Sequence, residues 1–464
     1  MSNENRTQPE TMHRDNTVFV LLSFEGPDLY ALAGGLGVRI THLARTLARK
    51  GYETHLFFIG DPRSPGREVL EGGTLVFHRW CQWISQYHPG GVYDGENEKL
   101  NDFNGSIPAW IIENIVRPCA AQNKVVAILA EEWHTAEAAC RLSEQLTSAG
   151  LRDSAVIFWN ANNTFGFERI DWARLGRAAT ITAVSKYMKH IMRDLGLTPL
   201  VIPNGIQEDL LKPINQDAAA RLRSSLNADP LMLKVARWDP GKAWMQSVQA
   251  VALLKAAGRR PVLLARGGME GYGGEVLGKA YELGLVVKDI NADGDSVDAR
   301  LEAIMGANDC DVLNIQFHCQ HELLRTLYNA SDAVLANSTH EPFGLVGLEV
   351  MASGGLVFTG GTGEDYAQHF FNSIVLDVND AQEIASYLDY LALHPGVATR
   401  LRKAGQITAH QFTWPFVVDG LIERLESRAR AANVLARPYE VLVERAARNV
   451  TEPSTLDALS LGAG

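Results

Sequence analysis

TVFVLLSFEGPDLYALAGGLGVRITHLARTLARKGYETHLFFIG occupies residues 17–60. It opens on a continuous apolar run, TVFVLLSF, of the kind that fills a strand buried on both faces. A glycine-rich turn follows. VRITHLARTLARKG then reads as a helix ending at Gly51, with Ile40, Leu43, Ala44 and Leu47 on its apolar side. ETHLFFIG is a second strand. Strand, turn, helix, strand is the repeating unit of a parallel sheet, because parallel strands need a crossover to join them.

The alternation continues through KVVAILA, SAVIFWN and ATITAVS, the last followed by the helix SKYMKHIMRDLG. PLVIPNGI (199–206) closes a first domain, 17–206, preceded by a polar tail, 1–16, expected to be disordered. A polar stretch, 207–228, suits a linker. The pattern restarts at LMLKVARW (231–238) and runs through RPVLLARG, CDVLNIQF, DAVLAN, LVFTGG and SIVLDV. A second domain therefore covers 229–412, and 413–464 reads as C-terminal helices and tail. Residues 62–116 break the rhythm; their YHPGGVYDGENEKLNDF suggests an insertion or mobile loop. The expected fold is α/β, two Rossmann-like doubly wound parallel-sheet domains facing a cleft. Ligands of such sheets sit beyond the carboxyl ends of the strands.

Hydrophobic residues make up 46% of the 464 and charged residues 21%, a globular composition able to bury two cores. The net charge of −11 argues against nucleic acid or an anionic membrane as the main partner. The N-terminus lacks the apolar core of a signal peptide and no window reaches a membrane span. Five scattered cysteines without a C-x-x-C read as reduced, partly buried thiols. These features lead to a cytoplasmic protein.

Four stretches carry chemistry-bearing residues just after strands. LAGGLG (32–37) lets backbone N–H groups of Gly34, Gly35 and Gly37 approach an anion at a helix start; the plain alternative is a tight turn. ARWDPGKAW (236–244) places Arg237 at a strand end and Lys242 in the first turn of the next helix. There they suit a diphosphate, or form an exposed pair of charges. AEEWHTAE (130–137) delivers Glu131, Glu132 and His134 to the same edge. His134 is fit to hydrogen-bond a sugar hydroxyl, and the glutamates are alternatives as an acid/base carboxylate. HEPFGLVGLE (340–349) sets Glu341 in a loop, opens a helix with the amides of Phe343, Gly344 and Leu345, and places Glu349 a little over two turns on. The bland reading there is a cap and a solvated glutamate. Together the four call for a diphosphate between two polyols, the form of a nucleotide-sugar.

HEPFGLVGLE resembles the E-x7-E motif of the retaining family-4 glycosyltransferases, which have the two-Rossmann GT-B fold. LYNASDAVLANSTHEPFGLVGLEVMASGGLVFTGGTGED is similar to that family's donor segment almost end to end. ARWDPGKAW resembles its Arg-x4-Lys pair and IPNGI its Asn-Gly at the end of the first domain. GGLG and WHT resemble the glycogen and starch synthase branch. The resemblance implies that Arg237 and Lys242 neutralise the diphosphate, and that Gly34, Gly35 and Gly37 approach it. It implies that Glu341 with Phe343, Gly344 and Leu345 holds the donor sugar, Glu349 the ribose, and His134 the sugar near the reacting centre. A nucleotide diphosphate sugar is then the co-substrate, no metal or other cofactor is required, and a carbohydrate hydroxyl is the acceptor. Leu32 stands where glucan synthases carry Lys, Glu132 where they carry Asp before His, and Phe343 where they carry Cys. On the acceptor side, WNANNTFGFERIDW offers Asn160, Asn162 and Asn163 for hydroxyls, and Tyr87 and Tyr93 for stacking or packing.

The expected activity is transfer of a hexose, glucose foremost, with retention of configuration. Rival readings are glycogen- or starch-synthase-like glucan elongation, a GT-B phosphorylase, or a non-catalytic sugar-nucleotide-binding protein. The ribose-type Glu349 disfavours phosphorolysis. Asp293-Gly-Asp295 and Asp309-Cys-Asp311 are weak D-x-D signals, read as structural or solvated, and FHCQHE (317–322) fits no common zinc spacing.

Overall fold

In the computed structural model, which describes residues 8–307 and 309–437, every residue of β1 (Thr17–Leu22) is buried. That is what a central strand covered by helices on both faces requires. β2 (Glu53–Ile59), β3 (Arg67–Leu70), β4 (Leu75–Trp80), β5 (Val125–Glu131), β6 (Ala155–Ala161), β7 (Thr180–Ala183) and β8 (Leu200–Val201) complete the first sheet, in the order β3-β4-β2-β1-β5-β6-β7-β8. Pairing from β4 through β2, β1 and β5 to β6 is parallel, and the short β3 runs antiparallel to β4.

The second sheet holds β9 (Leu231–Val235), β10 (Val262–Arg266), β11 (Val287–Ile290), β12 (Val312–Ile315), β13 (Ala333–Ala336), β14 (Val357–Thr359) and β15 (Ile374–Val375). Its order is β11-β12-β10-β9-β13-β14-β15. In each sheet the first long strand is central, and the chain first builds outward on one side, then returns to the other. The order therefore reverses between β1 and β5, and again between β9 and β13. Loops leaving the carboxyl ends of such a pair splay apart and leave room for a ligand.

The chain divides into two units, 1–182 with 418–464, and 183–417. The crossing thus comes before the expected boundary at 206. The expected linker at 207–228 holds a helix, Gln216–Leu226, which Asn215 caps through the Ala218 amide and which buries Ala219 and Leu222. Its apolar stripe is only two residues wide, so the stretch reads as polar. Residues 8–16 of the expected tail are packed: Met12 is buried and its amide donates to Glu426 (2.8 Å) on the final helix, Trp414–Ala431. Residues 1–7 and the helix expected past 437 lie outside the described residues. The five cysteines are buried and free. No helix among the described residues is long and apolar enough to cross a membrane.

The insertion is no mobile loop. It contains the β3–β4 hairpin and a helix, Glu96–Ile111, that buries Phe103, Ile107 and Ile111. Lys99 is wholly buried, and its Nζ donates to Tyr30 Oη (2.7 Å) and to the carbonyls of Gly91 (2.9 Å), Val92 (3.3 Å) and Asp94 (2.5 Å). An internal cation thereby gathers the carbonyls of the loop before the helix.

Candidate active site

In the first unit the residues after β1 and β5 meet, as the switch in strand order dictates. Glu25, buried, turns one carboxylate oxygen onto the amides of Gly34 (2.9 Å) and Gly37 (3.0 Å), and its other oxygen accepts from Tyr93 Oη (2.7 Å). The glycine turn does bind an anion, but that anion is Glu25. A diphosphate on the Gly34 and Gly37 amides would have to displace a carboxylate; Gly35, which opens the helix Gly35–Arg49, is exposed. At Gly37 a Cβ would lie 3.0 Å from the Gly26 carbonyl oxygen and 3.2 Å from Glu25 Oε2, so a side chain there would crowd the Glu25 contact.

Strand β5 ends at Glu131, and the chain then passes Glu132 with φ of +67°, a conformation that costs a non-glycine residue of order 1–3 kcal/mol. The surroundings over-determine it. Glu132 donates its amide to the Asn160 carbonyl (2.9 Å), its carbonyl accepts from Trp159 Nε1 (2.9 Å), and its carboxyl accepts from the amides of Asn162 (2.6 Å) and Asn163 (3.1 Å). Burial pushes this carboxyl up to about 8 despite those amides. Glu131 pairs with buried Arg39 (3.3 Å) and accepts from the side chains of Asn160 (2.9 Å) and Asn162 (2.7 Å). Of the three asparagines expected to meet an acceptor, Asn160 and Asn162 thus turn their side chains onto Glu131, while Asn163 gives Glu132 only its backbone amide and accepts from the Phe165 amide through its side chain (2.7 Å). Neither glutamate stands open as an acid/base group.

The strained turn aims His134 inward. Its ring stacks on Phe24 (4.3 Å) and Trp133 (3.8 Å), its Nε2 lies 2.8 Å from Glu96 Oε1, and its carbonyl accepts from Asn104 (3.1 Å). Burial lowers its pKa, against the opposing carboxylate of Glu96. Arg169 covers Trp133 at 4.1 Å. Tyr87 and Tyr93 are both exposed, and Tyr93 donates its hydroxyl to Glu25.

In the second unit the residues after β9 and β13 meet. Asp239 caps the Gly241 amide (2.8 Å), and the Gly241 carbonyl accepts from both the amide (2.9 Å) and hydroxyl (3.1 Å) of Thr339. That stitches the two loops together and brings Lys242 Nζ to 3.3 Å from Glu341 Oε2. Lys242 does not lie in the long helix. It ends a short 3₁₀ turn, and Ala243 (φ +54°) bends the chain before the helix Trp244–Ala256. Arg237 is exposed in the same loop, beside Glu270, which accepts from the Trp238 amide (3.0 Å).

Gly344 (φ +79°) starts the helix Leu345–Ala352, and its carbonyl accepts from buried Tyr366 Oη. The first amides of a helix have no carbonyl one turn before them, so those of Phe343 to Leu345 are placed for an anion. Burial raises Glu349, which Tyr328 contacts through its hydroxyl (3.4 Å) and which Glu341 pushes further up. The two glutamates do share one region. Beneath them Lys234 is fully buried, donates to the Leu335 carbonyl (3.1 Å) and to Asn337, and is brought down to about 7 by burial, with Lys242 adding.

Asp295 pairs with Arg300 (2.6 Å), and Asp311 with Lys255 (2.7 Å) and the Val286 amide (2.7 Å). The residues that sequence reasoning passed over are Glu25, Arg39, Glu96, Lys234, Tyr328 and Tyr366. Glu25 carried a signal, a carboxylate just past a central strand. The others act across gaps in sequence that no spacing marks.

Residues 220–408 match the family Glycosyl transferases group 1. The D-inositol 3-phosphate glycosyltransferase of Thermobispora bispora is 25% identical over 424 residues, 84% of this chain and 89% of that protein. The protein of the same description from Streptomyces bingchenggensis is 28% identical over 416 residues, 82% of each. Among solved structures, sucrose-phosphate synthase from Thermosynechococcus elongatus aligns with a TM-score of 0.63 at 20% identity, covering 90% of this chain and 100% of that one. The catalytic domain of starch synthase IV from Arabidopsis thaliana, bound to ADP and acarbose, gives 0.62 at 15% identity, covering 90% and 100%. The fold is GT-B.

Proposed function

We propose that this chain, a glycosyltransferase with a group 1 domain, moves a hexose, glucose foremost, from a nucleotide diphosphate sugar to a hydroxyl of a small carbohydrate or polyol, with retention of configuration. The observation that carries this reading is the pairing of Lys242 with Glu341 beside the first amides of the helix Leu345–Ala352. Without ligand the lysine and glutamate neutralise each other. A diphosphate takes Lys242, joined by exposed Arg237 as a forked donor, and frees Glu341 to accept from sugar hydroxyls. The amides of Phe343, Gly344 and Leu345 receive phosphate or sugar oxygens, and Glu349 receives a ribose.

The chemistry this set supports is stabilisation of charge on a departing nucleotide. A same-face displacement, in which the leaving phosphate takes the acceptor's proton, needs no protein nucleophile. Glu131 and Glu132, the obvious alternatives, are held by Arg39, Asn160, Asn162 and Asn163. Because Glu25 already holds two amides of the glycine turn, the diphosphate is assigned to the second unit, and an oxyanion on the Gly34 and Gly37 amides would have to displace Glu25. Relatives named for an inositol phosphate support a small cyclic acceptor over a long glucan.

Thermal-shift titration of wild type and Lys242→Ala against nucleoside diphosphates and their sugars tests the donor site, since a ligand of the folded state raises Tm. The expected result is a shift with one nucleotide series, lost in the variant, followed by α-linked product from an α-linked donor. A shift with phosphate or free sugar and none with any nucleotide overturns the reading.

A further inference from the structure

The insertion contributes two side chains to the first unit's site: Tyr93 to Glu25 and Glu96 to His134. We infer that Glu96 is a positioning residue that fixes the tautomer of His134, leaving its Nδ1 as an acceptor for a hydroxyl of the bound sugar. The inference rests on the sugar-transfer reading for the identity of the ligand, and on geometry for the rest.

The His134 ring is held on three sides. Phe24 and Trp133 sandwich it, and Glu96 fixes its Nε2. An ionised carboxylate only accepts hydrogen bonds, so Nε2 must carry the proton. In the neutral ring Nδ1 is then a lone pair. Nδ1 is buried and has no hydrogen-bond partner among the described residues. An acceptor buried without a donor is unfavourable, and a ligand that supplies the donor removes that cost. The donor that fits is a hydroxyl: a phosphate or carboxylate brings only lone pairs. Burial favours the neutral ring, which alone leaves Nδ1 free to accept.

Glu96 is placed by construction. It is the first residue of the helix Glu96–Ile111, directly after Gly95. Gly95 has φ of +68°, and a Cβ there would lie 2.5 Å from the His88 ring, so no other residue makes that turn unstrained. Lys99, one turn on, holds the preceding loop by three carbonyl oxygens and Tyr30 by its hydroxyl. Its neighbour Glu98 faces outward to His88 (3.4 Å) and serves as a control.

The test is long-range ¹H–¹⁵N correlation on ¹⁵N-histidine-labelled full-length protein, at a pH well above the ordinary histidine range, with the His134 signals assigned by their loss in His134→Asn. Wild type and Glu98→Ala should show the Nε2–H tautomer alone. Glu96→Ala should show a mixture or the Nδ1–H form, and Glu96→Gln, whose amide oxygen still accepts, should restore Nε2–H at least in part. Turnover should fall about 10–100-fold in Glu96→Ala, as for other residues that orient a functional histidine, while the Tm shift with nucleoside diphosphate is unchanged. A wild-type ring protonated on Nδ1, or an unaltered tautomer in Glu96→Ala, overturns the inference. The spectrum decides this even if no sugar is transferred, so failure of the functional reading stays distinguishable.

Discussion

On the proposed reading the Lys242–Glu341 pair is kept for a ligand and need do little for the fold. Both side chains are partly exposed, at 16% and 29%, where an ion pair is worth about 0–1 kcal/mol. Lys242→Ala should leave the urea midpoint of the ligand-free protein nearly unchanged while lowering kcat about 10²–10³-fold, the range for removing one group that stabilises transition-state charge. An equal loss of both would make Lys242 a structural residue. Gly344 behaves in the opposite way. Its φ is positive, which strains any side chain, and a Cβ at this position would crowd Tyr366 Oη at 3.3 Å. Gly344→Ala should cost roughly 1–2 kcal/mol, read as a lowered urea midpoint, and should blunt nucleotide binding by tilting the first amides of the helix. Native stability in that variant would show that the helix start adapts.

At the scale of the element, the insertion is where sequence and structure part. β1 and β5 were legible because a strand covered on both faces must be apolar at every position, and the loops carrying Lys242 and Glu341 were legible because ligands of doubly wound sheets gather past strand ends. The insertion has no such rule. Lys99 reads as a solvated charge, since a lysine is almost never wholly buried unless its ammonium is satisfied, and its acceptors come from Tyr30 and a loop rich in glycine. Glu96 meets His134 across 38 residues with no periodicity to announce it. The glycine turn misled for a related reason: its amides bind an anion, but the anion comes from the same chain. Lys99→Met removes the ammonium and leaves several buried oxygens without a donor, which should cost about 3 kcal/mol or more. Hydrogen exchange should rise first in residues 86–98. Exchange that rises equally throughout the first unit would mean that the loop has no separate opening.

The whole molecule holds buried ionisable groups whose titrations pull in different directions, so its stability should depend on pH unit by unit. In the first unit His78 is brought down from 6.5 to about 3 by burial, beside His55. Between those values the unfolded chain binds the extra proton, so stability rises with pH by up to about 1.4 kcal/mol per pH unit. Glu132 is pushed up from 4.5 to about 8. Between those values the folded chain holds the extra proton, and stability falls with pH by a similar slope. From 4.5 to 6.5 the two cancel, and from 6.5 to 8 Glu132 acts alone. In the second unit Lys234 is brought down from 10.5 to about 7, so the unfolded chain binds more protons between them and stability rises with pH. Between pH 7 and 8 the two units should therefore drift in opposite senses. Peptide-resolved hydrogen exchange under native conditions separates them, since each unit opens with its own free energy. Glu132→Gln should flatten the decline in peptides of β5 and β6, and Lys234→Met should flatten the rise in peptides of β9 and β13. If wild-type exchange in both units instead moves together across this range, and neither variant changes a slope, the buried glutamate and lysine hold ordinary protonation in the folded chain and the opposition is absent.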